Sequence, residues 1–305
     1  MKSIEYFKKL KKSKNRKIKF IDDFVIKFQI TKKDEINLKK LIVKLINKTE
    51  NKKKFTNYNS CFNYLNLTKF YKVNKDLNLM VEVESIIIKI LKKNNILNNY
   101  IKGIEFPVTL RIAHPKKPNQ VKKYQTSSIH CDPWAGEPKD LINIVFYLSV
   151  SKDASKLNIF KTNEEQVKIN KRNSLLYKST NFIHSKKYYE YIKNFEKASK
   201  CKVEHKNGFC YLFNGFVPHN TIREGNKIRI SIECRLRTEN PYSNQKLFLN
   251  KINRGGRYWF LPPNKKIDNF KNRLRYEFIN LKKEINSKKK ITLRKKDLVK
   301  FHNYK

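Results

Sequence analysis

His130 and Asp132 stand two positions apart in "SSIHCDPWAGEPKDLINIVFYLSV", just ahead of a run of alternating apolar residues. In an extended chain successive side chains point to opposite faces, so this imidazole and carboxylate look the same way while Cys131 looks the other. Together they can share one ligand. Two residues do not hold a catalytic metal by themselves, and Asp132-Pro133 also reads as a turn whose carboxylate caps local backbone amides. Downstream, in "FCYLFNGFVPHNTIREGNKIRIS", His219 precedes Arg229 by ten positions. That is room for a strand end, a turn at Gly225 and entry into the next antiparallel strand, so His219 and Arg229 can face one cavity. In "IRISIECRLR" the residues Arg229, Ser231, Glu233, Arg235 and Arg237 fall on one face, and Ile228, Ile230, Ile232, Cys234 and Leu236 on the other. The apolar face is buried; the polar face must look at solvent or at a charged ligand.

Three regions must position these groups. Residues 1–103 read as a helical region that covers the rest. In "DEINLKKLIVKLINK" an acidic start is followed by Leu38, Leu41, Ile42, Leu45 and Ile46 along one stripe, and "LMVEVESIIIKILKKNNIL" reads as a second such helix. From 104 to 240 the period changes to two. Short runs such as "IEFPVTLRIA", "INIVFYLSV", "NSLLYKS", "GFCYLFNG" and "KIRISIECRLR" alternate with Pro, Gly, Asn and Asp, interrupted by one helical insertion over residues 186–200. Many short strands without long helices between them predict a sandwich or barrel. Residues 241–305 read as a loop, a basic helix from Ile267 to about Ile285, and a lysine-rich tail.

In "LINIVFYLSV" the set Ile142, Ile144, Phe146, Leu148 and Val150 should face the helices, which leaves Asn143 and Tyr147 toward the cavity. Tyr124 and Arg111, on preceding strands, are further candidates for contacts there. Trp134 would stack on a substrate or close the barrel mouth. His114, His184, His205 and His302 lack matching partners and read as structural or surface residues.

Composition narrows the class. With 305 residues and 39% hydrophobic content the chain can bury a substantial core. No apolar run approaches the roughly 18 residues that a membrane span requires, and "MKSIEYFKKLKKSKNRKIKF" lacks the apolar block of a signal peptide. The expectation is a cytoplasmic protein. Five cysteines, odd in number and without a CxxC pair, fit a reducing compartment better than a disulfide framework. The net charge of +44 suggests nucleic acid, anionic membrane or acidic substrates. However, it is scattered along a chain rich in Lys, Asn and Ile and poor in Gly, as AT-rich coding would leave it, and it shows no regular interleaving with aromatics.

His130-Cys131-Asp132, His219 and Arg229-Ile230-Ser231, in that order, resemble the signature of the Fe(II)- and 2-oxoglutarate-dependent oxygenases. That signature is H-x-D, a distant His, and an Arg about ten residues later followed at the second position by Ser. The resemblance covers about 104–237. It implies a mainly β fold with flanking helices, a double-stranded β-helix (jelly roll, cupin-like). It implies that His130, Asp132 and His219 are the metal ligands and the catalytic set, leaving three positions of a ferrous ion for a chelating 2-oxo acid and dioxygen. Arg229 would then fork onto the far carboxylate of 2-oxoglutarate, with a hydroxyl from Ser231 or from Thr221, where the phytanoyl-hydroxylase-like branch places one. Asn143 and Tyr124 complete the co-substrate candidates.

The substrate implied is a small polar molecule, phosphorylated or sugar-linked, through a looser similarity to oxygenases of bacterial carbohydrate clusters. Arg111, Trp134, Arg235 and Arg237 would suit a phosphate. Two other readings stand beside it. One is a nucleic-acid-repair demethylase, whose branch shares the spacing of Arg229 and Arg235. The other is a non-enzymatic cupin-type binding module.

Overall fold

Thr31 and Asp76 decide where two of the cover helices begin. Thr31 Oγ1 accepts from the Asp34 amide at 3.2 Å and Asp76 Oδ1 from the Leu79 amide at 2.9 Å, each satisfying a donor that the first helical turn leaves orphaned. The computed structural model describes residues 2–13, 15, 17–50, 54–67, 76–115, 128–135, 137–176, 186–223, 225–240 and 258–287. Its helices are α1 (Lys2–Lys12), α2 (Lys32–Thr49), α3 (Tyr58–Leu67), α4 (Leu77–Lys93), α5 (Glu164–Leu176), α6 (Lys186–Glu196) and α7 (Phe270–Ser287). Leu38, Leu41, Ile42, Leu45 and Ile46 of α2 are buried as the stripe predicts, facing the core with Leu79, Met80, Val83, Ile87 and Leu91 of α4.

The strands are β1 (Ile18–Asp22), β2 (Val25–Gln29), β3 (Gly103–Phe106), β4 (Thr109–Ala113), β5 (Leu141–Ser149), β6 (Lys156–Ile159), β7 (Phe209–Asn214), β8 (His219–Ile222), β9 (Arg229–Arg237) and β10 (Tyr258–Phe260). Eight of them form an antiparallel sheet in the order β1-β2-β7-β5-β9-β3-β10, with β4 also on β9, and β6 pairs with β8 in a second, two-stranded sheet. All three sequence regions contribute strands to the large sheet, since the β1–β2 hairpin and β10 lie outside residues 104–240. Register sets the faces. Ser231 stands opposite Tyr147 on one side and Arg111 on the other, and Arg235 stands opposite Asn143.

Three expectations need correction. The segment "NSLLYKS" was expected to be a strand, yet its described part lies in α5. Asn163 Oδ1 accepts from the Gln166 amide at 2.8 Å at that helix start, and two glutamates follow, so capping and the acidic first turn outweigh a short apolar run. Alternation in β9 predicts one buried face, but Arg229, Ser231 and Arg237 are buried too; the polar face looks inward, onto other charged groups. Trp134 is 2% exposed, within a second cluster that contains Ile129, Cys131, Phe160, Tyr188, Ile192 and Phe195, and its Nε1 donates to the Asn170 carbonyl at 3.0 Å. It packs rather than stacking on a substrate.

Gly225 sits at φ +83° in the connection from β8 to β9, where a Cβ would collide with the Asp153 carbonyl. Only glycine is accommodated there.

Arg273 ties the C-terminal helix to the cover. It is fully buried on α7, with Nε and Nη2 donating to the two oxygens of Glu84 on α4 at 2.9 and 3.0 Å and Nη1 to Glu277 at 2.5 Å. Burial pushes the Glu84 carboxyl up, and Arg273 opposes that. Arg273→Ala is expected to lower the unfolding free energy by about 3–5 kcal/mol, because it strands a buried carboxylate. Urea midpoints measure this, and apolar replacement of Arg273, Glu84 and Glu277 together should recover much of the loss. A midpoint shift no larger than that of an exposed-lysine control would show that α7 is not held this way.

Candidate metal centre

His130 and His219 are direct cross-strand neighbours. The His130 amide donates to the His219 carbonyl at 3.0 Å and the His219 amide to the His130 carbonyl at 2.9 Å. A hydrogen-bonded antiparallel pair puts both side chains on one side, and the ring centroids lie 4.4 Å apart. Each Nδ1 meets a backbone carbonyl two residues earlier, His130 that of Ser128 at 2.8 Å and His219 that of Val217 at 3.0 Å. A carbonyl only accepts, so each Nδ1 carries a proton and Nε2 is the nitrogen left to face Asp132.

Asp132 opens a short 3-10 turn, Asp132–Ala135, and its Oδ1 lies 3.7 Å from both Nε2 atoms. All three donor atoms fall within 4.8 Å of one another, so bonds of about 2 Å to a shared metal require the side chains to draw in only slightly. The turn expected at Asp132-Pro133 exists, and it delivers the carboxylate to the imidazoles.

The surroundings hold Asp132 and His130 in their ligating forms. Burial by itself would raise the Asp132 carboxyl, but Arg235 first, then His219 and His130, and lastly the Asn143 amide outweigh it and hold Asp132 well below the usual carboxylate range. Burial is the largest influence on His130, reinforced by His219 and opposed by Asp132, and lowers it to about 4; it stays neutral at ordinary pH. Arg235 Nε lies 3.5 Å from Asp132 Oδ2, while its Nη1 reaches Glu105 at 3.2 Å and Glu137 at 4.0 Å. Two imidazole nitrogens and one carboxylate facing one point match the donor set of non-haem Fe(II) oxygenase sites. Its outer partners orient the ligands as such sites require.

Arg229 lies on β9 and is 1% exposed. Its Nε and Nη1 meet no partner among the described residues, its Nη2 is 4.0 Å from Glu233 Oε1, and its guanidinium lies 5.8 Å from the centre of the Tyr147 ring. The Ser231 hydroxyl, two residues on and on the same face, is also buried without a partner among those residues. Buried donors left open are costly unless something binds them. Thr221 is buried on β8, on the same side as His219, and Asn143 stands beside Asp132. Tyr124 lies outside the described residues, as do His184 and His302. His205 stacks on Tyr147 and bonds the Leu157 backbone.

The four side chains expected to suit a phosphate are otherwise engaged. Arg237 forks onto Asp140 with three contacts of 2.9 to 3.2 Å, Arg235 faces three carboxylates, Arg111 Nε lies 2.5 Å from Glu233, and Trp134 is packed away. Sequence reasoning missed Glu105 as a partner at this site. A lone acidic residue inside the apolar "GIEF" strand was the signal, since such a residue is rarely buried unpaired.

No protein-family model and no curated protein matches the chain. Among solved structures it is similar to a Pseudomonas putida prolyl-4-hydroxylase, at 13% identity over 77% of this chain and 94% of the other, with a TM-score of 0.34. It is similar to the non-heme alpha-ketoglutarate-dependent epimerase SnoN from nogalamycin biosynthesis, at 8% over 75% and 82%, with a TM-score of 0.35. A third likeness is to an N-substituted L-amino acid dioxygenase from Burkholderia ambifaria in complex with alpha-KG, at 12% over 70% and 82%, with a TM-score of 0.36. Superpositions this loose add nothing to what the site's own geometry supports.

Proposed function

We propose that the chain is a Fe(II)- and 2-oxoglutarate-dependent dioxygenase acting on a small polar molecule. The observation that carries this is the convergence of two Nδ1-protonated imidazoles and one carboxylate, His130, His219 and Asp132, on one point. In this reading the strands of residues 104–240 in the large sheet and the β6–β8 pair are the two walls of a double-stranded β-helix, which β1–β2 and β10 extend, with the helices of 1–103 and 241–305 packed around it. Arg229 forks onto the distal carboxylate of 2-oxoglutarate, with Ser231 or Thr221 adding a hydroxyl. Arg235 and Asn143 hold Asp132 ionised and oriented. Bound Fe(II) supplies the coupling of dioxygen reduction to decarboxylation of 2-oxoglutarate, so that one oxygen atom enters succinate and the other the substrate. The burial of all five cysteines as free thiols supports a reducing, cytoplasmic setting. Among the described residues no helix is long and apolar enough to cross a membrane.

A sugar or nucleotide-sugar is the substrate class proposed first, with recognition by something other than Arg235, Arg237 or Trp134. A second reading, oxidative demethylation of nucleic acid, is favoured by one observation: the Arg229-x5-Arg235 spacing resembles that branch, and Arg235 stands on the metal carboxylate. The test is succinate release with Fe(II) and 2-oxoglutarate, screened with nucleotide-sugars beside methylated single-stranded DNA and RNA. Stimulation by sugars is the expected result. Stimulation by alkylated oligonucleotides alone would promote the second reading, and no iron-dependent succinate under any condition would leave a cupin-type binding module.

A further inference from the structure

We propose that Arg111 is a positioning residue of the anion site, holding Glu233 away from Arg229 so that the buried guanidinium stays open to an incoming carboxylate. This rests on the reading of Arg229 as the 2-oxoglutarate anchor. Arg229 and Glu233 lie four residues apart on one face of β9, and their long side chains lean toward each other until Nη2 and Oε1 are 4.0 Å apart, close enough to attract but short of a hydrogen-bonded pair. They are not closed. The Glu233 oxygen nearest Arg229, at 4.0 Å from Nη2, is the same Oε1 that lies 2.5 Å from Arg111 Nε. Arg111 comes from β4, where it stands opposite Ser231 rather than Glu233, so it reaches one register step along the sheet to make this contact.

The nearby Arg223 donates through Nη1 to the His114 carbonyl at 3.2 Å, while its Nε meets no hydrogen-bond partner among the described residues. Two consequences follow for a dianionic ligand. Glu233 is kept from competing for Arg229, and its charge beside the ligand's path is compensated by Arg111. The Arg111–Glu233 pair therefore sets how strongly Arg229 attracts an anion, without either residue having to touch it.

The test is calorimetric titration of 2-oxoglutarate into protein loaded anaerobically with Mn(II) in place of iron, with metal content measured for each variant. Arg111→Ala should weaken 2-oxoglutarate binding at least about tenfold, equivalent to about 1.4 kcal/mol, because Glu233 then falls onto Arg229. Arg111→Lys should retain most of the affinity. Glu233→Gln should bind as well as the unsubstituted chain or better. The double variant Arg111→Ala with Glu233→Gln should return to within about threefold of the original. Mn(II) content should not change in any of them. If Arg111→Ala does not fold, Arg111→Gln takes its place in both arms. A double variant as weak as the single one would overturn the proposal, since Arg111 would then contact the ligand itself; so would full affinity in the single variant. If the unsubstituted Mn(II)-loaded chain takes up no 2-oxoglutarate at all, the enzyme reading itself falls and this role with it.

Discussion

Asp132→Ala and His219→Ala are each expected to abolish iron-dependent succinate formation while leaving the melting transition within a few degrees of the original. Each removes one of three donors that converge within 4.8 Å, and loss of a direct ligand should exceed the roughly 10- to 100-fold in metal affinity typical of outer-shell changes. The fold should survive for reasons specific to each site. The contact that joins residues 130 and 219 is made by their backbones, two hydrogen bonds of 3.0 and 2.9 Å, and does not need the imidazole. When Asp132 is lost, Arg235 still has Glu105 and Glu137. Metal content after dialysis, succinate release and thermal melting check this together. Retained metal and turnover in both variants would show that the ligands lie elsewhere.

The second large effect is expected at Arg229. Truncating one partner of a buried charged pair costs about 2–5 kcal/mol, so Arg229→Ala should raise the 2-oxoglutarate concentration needed for half-maximal turnover about thirtyfold or more. Part of that reflects a ligand carboxylate left without its partner. Arg229→Lys should recover some of the loss, keeping the charge but not the planar fork. If Arg229 serves binding alone, turnover at saturating 2-oxoglutarate should change far less than the concentration requirement. Titration of succinate release measures both. A curve for the alanine variant that matches the original would move the anchor to another cation, with Arg111 the next to test.

Three features of the site were legible because they follow from chain geometry over a few residues. Side-chain alternation places Arg229 with Ser231 on one face of a strand, a turn at Asp132-Pro133 is read from its residue types, and a turn at Gly225 fits the ten positions between His219 and Arg229. The helices over Leu38 to Ile46 and Leu79 to Leu91 were legible too, from apolar spacing that matches the helical period.

What the sequence left open depends on register between segments far apart, which no local pattern encodes. Only the tertiary structure sets His130 directly against His219 and places Arg235 on Asp132. Only it brings Glu105 across from β3 and lays Arg111 against Glu233. Alternation along β9 showed that its charged residues share a face, yet whether that face meets water or other charges is decided by what packs over it. The same holds for Trp134, which reads as a ligand platform or a closure of the barrel mouth when seen alone and is core once α5 and α6 close over it. Short-range sterics fix where a side chain points; long-range packing fixes what it meets there.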